Sequence, residues 1–158
     1  MPPLSLRLIG DTQVEVVRHF DASPAQVYRA HTDPDIMPLW LTGPDGWRMT
    51  ECVSDLRPGG GIRFAWADDN GAGFHLTGEY LEIEPGVRIV HVERMFLPDP
   101  TPDNRVETRF ETDGSGTRLV MTMTVPSAEV RKAMLDTGMA VGMEASYARL
   151  EARVLVAA

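Results

Sequence analysis

Apolar and polar positions alternate with a period of two through most of the middle of this chain, a pattern that predicts strands. In the first, Val14, Val16 and Phe20 alternate with Glu15, Val17 and His19. Arg18 shares the apolar face, either at the strand's edge or paired with something inside. Six more strand-like runs cover about 47–56, 62–66, 75–83, 88–96, 105–112 and 117–125. The breaks between them carry turn residues: Arg57-Pro58-Gly59-Gly60-Gly61, 68–73, Glu84-Pro85-Gly86 and Asp113-Gly114-Ser115-Gly116. Hairpin-length breaks predict antiparallel neighbours.

Helical signals sit at two places. Ser23-Pro24-Ala25-Gln26 combines a capping residue, a proline at the first helical position and the glutamine of a capping box, so a short helix is expected to about His31. Asp33-Pro34 repeats the cap-plus-proline signal and predicts a second short helix toward Trp40, limited by Pro38. Pro126 stops the last strand and Ser127 caps a long final helix over 127–156. One strand, two short helices, six strands and one long helix describe an α+β chain with its helices segregated from an antiparallel sheet. A sheet wrapped around the last helix would bury one face of each and leave a space between them.

Five segments carry a family resemblance: VVRHFDASPAQVYRAHTDPDIMPLW (16–40), DLRPGG (55–60), GEYLEIEPGVR (78–88), GTRL (116–119) and GMAVGMEASYARL (138–150). In this order the chain resembles the bacterial relatives of the activator of the heat-shock-protein-90 ATPase. These belong to the SRPBCC (START/Bet v 1-like) superfamily, with START lipid-transfer domains, polyketide cyclases and the birch-pollen allergen. The resemblance implies the helix-grip fold: a seven-stranded antiparallel sheet around a C-terminal helix, with two short helices after the first strand. It implies no shared catalytic residues. Many relatives carry Trp after the second glycine of the last helix, where Met143 stands here. The eukaryotic activator has a further domain for which this chain leaves no room, and a shared fold does not transmit a function. A single domain is expected over 1–158, with its core at about 12–156.

Composition narrows the function classes. The net charge of -8 over 158 residues, with no basic run, argues against nucleic acid and against an anionic membrane surface. Apolar residues make up 43%, yet no segment has the apolar length of a membrane span, and Met1–Gly10 does not read as a secretory signal. Cys52 stands alone, with neither a disulfide partner nor a C-x-x-C motif, and is expected to be an inert buried thiol. A soluble cytoplasmic protein is expected, without cofactor or metal; a homodimer stays open.

The chemistry-bearing residues point to a cavity rather than a reaction centre. Gly138 and Gly142 lie four apart on the final helix, and Ala145 extends their face; such small residues either leave volume for a ligand or let another element approach. Methionines Met121 and Met123 share a strand face, and Met134, Met139 and Met143 lie on the helix; they suit an adaptable apolar pocket as well as plain core. Trp40, Phe64, Trp66, Tyr80 and Tyr147 are the aromatics expected near the space, where an N–H or O–H can orient an apolar ligand. The candidate lining is therefore Trp40, Phe64, Trp66, Tyr80, His91, Met121, Met123, Met134, Gly138, Val141, Gly142 and Ala145. The proline-bearing 97–104 connection is a candidate flap.

Histidines His19, His31, His75 and His91 lack metal-ligand spacing, and Glu79, Glu82, Glu84 and Glu93 read as solvated strand-face charges. Arg94, Glu107 and Arg109 read as outward cross-strand pairs. Three functions follow: a binder of a small apolar molecule; a cyclase, aromatase or hydrolase on such a molecule, needing an inward pair such as His91 with Tyr80 or Glu79; or a surface acting on a chaperone or regulator.

Overall fold

The computed structural model describes residues 3–155. One antiparallel sheet holds eight strands: β1 (Ser5–Ile9), β2 (Gln13–Phe20), β3 (Trp47–Ser54), β4 (Gly61–Asp68), β5 (Gly73–Glu84), β6 (Arg88–Phe96), β7 (Asn104–Asp113) and β8 (Gly116–Thr124). Their order across the sheet is β1-β2-β8-β7-β6-β5-β4-β3. The fold is α+β of the helix-grip type, with C-terminal helices lying across the sheet's inner face. Extra residues at bulges between Met49 and Glu51 and between Tyr80 and Glu82 bend strands that would otherwise run flat.

The sheet has one strand more than the sequence pattern implies. β1 precedes the expected first strand and pairs with β2 from Ser5↔Val17 to Ile9↔Gln13. As an edge strand it buries little: Leu8 stays exposed, and Leu4 and Leu6 pack only partly on the core.

Ser23 caps α1 (Pro24–Thr32) through the complete reciprocal capping box. Asp33-Pro34 does not start a second α-helix. Asp33 instead closes α1 and accepts the Asp35 N–H in a tight turn, and only the 3-10 turn Met37–Leu39 follows. The final helix is also corrected. It divides into α2 (Ala128–Asp136), capped by Ser127, and α3 (Met139–Arg153). Gly138 separates them with φ +81°, a left-handed conformation outside any helix. The expected end at Val156 lies outside the described residues.

Packing along this broken helix is uneven. In α3, Ser146, Tyr147 and Leu150 are buried, whereas α2 contributes no buried residue. The buried end is tied to the sheet by Arg18, which is 1% exposed. Arg18 donates through Nε and Nη2 to the two carboxylate oxygens of Glu144, both at 2.9 Å, and through Nη1 to Glu151 at 2.7 Å. Glu144 and Glu151 lie seven residues apart, so two turns of α3 present both carboxylates on one side. Glu144 also accepts the Leu4 N–H at 2.8 Å. Burial works to raise the Glu144 carboxyl, but these hydrogen bonds outweigh it and hold the group below its ordinary value of 4.5.

Three outcomes are expected. Arg18→Met strands two carboxylates and should lower unfolding stability by about 3 kcal/mol in urea titration; a loss under about 1 kcal/mol would contradict the tie. Because the Glu144 carboxyl is depressed in the fold, its contribution is present above pH 4.5 and fades as pH falls through the folded value. Glu144→Gln should therefore flatten the loss of stability below that pH. Gly138→Ala meets no neighbouring atom, so its cost is backbone strain alone, about 1 kcal/mol in the same assay.

Candidate functional site

The inner face of the sheet and the C-terminal helices border a partly open cavity of about 570 Å³. Alternation along each strand decides which side chains reach it. Ile62, Phe64 and Trp66 come from β4, Leu76 and Tyr80 from β5, and Ile89, His91, Glu93 and Met95 from β6. Val106, Thr108 and Phe110 come from β7, and Met121 and Met123 from β8. Met139, Met143, Ser146 and Tyr147 form one stripe of α3, while Val130, Ala133 and Met134 of α2 border the space. Leu97, Thr101 and Pro102 of the β6–β7 connection and Asn104 at the start of β7 border it too.

Seven of the chain's nine methionines line this cavity: Met37, Met95, Met121, Met123, Met134, Met139 and Met143. Met49 does not line it, and Met1 lies outside the described residues. Flexible, polarizable side chains thus make up much of the wall.

Of the residues expected from sequence, Trp40, Phe64, Trp66, Tyr80, His91, Met121, Met123 and Met134 meet at the cavity. Gly138, Val141, Gly142 and Ala145 do not line it. Gly138 ends α2, and α3 starts at the next residue with its Met139–Met143 stripe inward. Val141 is 73% exposed, and a side chain at Gly142 would meet Pro44, so that face turns toward solvent and the 41–46 loop. A Cβ at Gly142 would stand 3.8 Å from Pro44 Cδ, an ordinary contact distance, so nothing around this position requires a glycine. Arg149 and Ser146 fasten the same loop: Arg149 donates to Thr42, Gly43 and Asp45, and Ser146 accepts the Gly43 N–H.

The indole N–H groups are engaged within the protein. Trp40 donates to the Ala30 carbonyl at 3.0 Å and Trp66 to Leu41 at 2.8 Å. Trp40 also stacks on Tyr147, with ring centroids 6.1 Å apart. The Tyr80 hydroxyl meets that of Ser54 at 2.6 Å; burial raises the phenol and this bond partly offsets it. Tyr147 is raised by burial, so its hydroxyl stays protonated at neutral pH.

Three polar side chains of the wall were not legible as site residues. Glu93 faces inward with His91, whose Nε2 donates to its carboxylate at 2.7 Å, instead of pointing to solvent. Asn104, opposite Glu93 on β7, keeps a buried Oδ1 without a partner. His31 donates from Nδ1 to the Val27 carbonyl at 2.7 Å, which leaves Nε2 a buried acceptor without a partner. Burial lowers the His31 imidazole to about 4 against the opposing Val27 bond, so it is neutral at pH 7. Rings of Trp40, Phe110 and Tyr147 surround it.

Other candidates lie elsewhere. Glu79 is exposed on the outer face, so it is not available to pair with His91. His75 stacks on Phe96, and His19 meets Asp113 at the surface. Arg94, which borders the cavity, pairs with Asp103 at 2.7 Å, and Glu107 with Arg88 and Arg109. Cys52 is half-buried rather than buried, and burial, followed by the charge of Asp35, pushes its thiol up. An imidazole oriented by a carboxylate can exchange a proton. Among the described residues no group of three or more His, Cys, Asp or Glu could hold a metal ion, and no helix is long and apolar enough to cross a membrane.

Residues 21–154 match the family described as Activator of Hsp90 ATPase homolog 1-like protein. A crystal structure of a protein from Rhodobacter sphaeroides is 34% identical, covers 94% of this chain and 96% of its own, and superposes with a TM-score of 0.88. One from Rhizobium leguminosarum is 26% identical over 89% of this chain and 95% of that one, with a TM-score of 0.73. A Mycobacterium smegmatis protein, 21% identical with 98% of both chains covered and a TM-score of 0.87, shares the fold. No curated protein matches the chain. The chain belongs to the Activator of Hsp90 ATPase homolog 1-like family.

Proposed function

We propose that this protein is a single-domain binder of a small, largely apolar organic molecule, held between the sheet and the two C-terminal helices. The observation that carries this reading is the 570 Å³ cavity and its methionine- and aromatic-rich wall. A filled core would gain dispersion contacts and bury more area, so an open space on this scale is a cost that a bound molecule offsets. Flexible methionines let the wall fit more than one ligand shape. α2, with no buried residue, is the wall that can yield on entry. The His91–Glu93 pair also meets the need of the acid–base alternative for an inward couple, with Glu93 in place of Glu79.

N-phenyl-1-naphthylamine, an uncharged fluorophore that brightens in apolar surroundings, tests the reading. It should bind with saturable, micromolar affinity. Met121→Trp, which fills the cavity from β8, should weaken binding at least about tenfold while preserving the folded far-UV spectrum. A folded Met121→Trp protein that binds the dye as the parent does would remove the cavity as the binding place.

A further inference from the structure

Two buried acceptors of the cavity wall have no partner within the protein. Several of its N–H and O–H groups are engaged within the protein: the indoles of Trp40 and Trp66 serve backbone carbonyls, and the Tyr80 hydroxyl is paired with Ser54. The Arg94 guanidinium, half-exposed at the border, is paired with Asp103. Acceptors are left over. Glu93 has one carboxylate oxygen on His91, and on the neighbouring strand Asn104 Oδ1 has no partner. His31 Nε2, on the α1 side of the cavity, is a second buried acceptor without one.

An unpartnered buried acceptor costs about 1–3 kcal/mol, and a guest that donates to it recovers much of that. The same groups repel an anion: a carboxylate placed beside Glu93 would meet a like charge in poorly screened surroundings. Building against the wrong charge is a common source of selectivity.

Resting on the binding function proposed above, we infer that the ligand is an apolar molecule ending in a hydrogen-bond donor, a hydroxyl or amine, and that the site excludes carboxylate- and phosphate-headed molecules such as fatty acids. Glu93 and Asn104 take the donor at the β6–β7 side of the cavity. His31 offers a second place for a donor when the surrounding rings shift to admit it.

Competition against bound N-phenyl-1-naphthylamine tests this with two probes of matched ring, 2-naphthol and 2-naphthoate. 2-Naphthol should displace the dye at a concentration at least about tenfold lower than 2-naphthoate. Glu93→Gln, which removes the charge and keeps the shape, should shrink that ratio at least about threefold, mainly by strengthening 2-naphthoate. Asn104→Leu should weaken 2-naphthol without helping 2-naphthoate, and serves alone if Glu93→Gln does not fold. Equal or better displacement by 2-naphthoate in the parent overturns the inference while dye binding leaves the cavity function standing. So does a ratio unmoved in folded Glu93→Gln, or unchanged 2-naphthol affinity in Asn104→Leu. Absence of dye binding removes the cavity function itself and the inference with it.

Discussion

The hold of the sheet on α3 rests on one buried guanidinium. Arg18 sits on the inner face of β2 among Val14, Val16 and Phe20, where an unpaired charge would be prohibitively expensive. Glu144 and Glu151 resolve that cost only when α3 lies in one position along the strand, because both must reach the same fork. The ion triad therefore works as a locator. Hydrophobic packing of Tyr147 and Leu150 supplies contact area but would tolerate a small slide; the two-point Glu144 contact would not.

Fixing one end of the helical segment has a consequence at the other. From Ser146 onward α3 is packed down and fastened to the 41–46 loop through Arg149. Before that point the inner side of α3 carries Met139 and Met143, and beyond Gly138 the chain turns into α2 with nothing buried. The bulges in β3 and β5 bend the sheet, and the cavity occupies the space left beneath the lightly packed end. Rigid and yielding walls thus sit side by side, which is what a site needs if it is to hold a shape and still admit a guest.

Much of this was legible in the chain. Period-two alternation located the strands after residue 12, and the Ser23 and Ser127 caps are formed where their sequence context placed them. What escaped did so for local reasons. β1 is a five-residue edge strand that buries little, so it leaves no strong pattern. Gly138 is compatible with a helix interior and with a break, and only its backbone conformation distinguishes them. Val141, Gly142 and Ala145 share a face of α3, but its Met139–Met143 side is the one that reaches the cavity. Glu93 obeys the same alternation that turns His91 and Met95 inward, but a charge alone argues for solvent, and only the nearby His91 makes its inward position tolerable. His31 sits in the last turn of a short helix, where no periodicity marks it as facing a cavity.

The proposed guest lies beneath α2 and the first turns of α3, against seven methionines. The most direct measurement is carbon–proton NMR of ¹³C-labelled methionine methyl groups during titration with N-phenyl-1-naphthylamine. Resonances of Met37, Met95, Met121, Met123, Met134, Met139 and Met143 should shift together and saturably, while Met49 on β3 stays in place. Saturating dye that leaves the cavity methyls unmoved would contradict the claim.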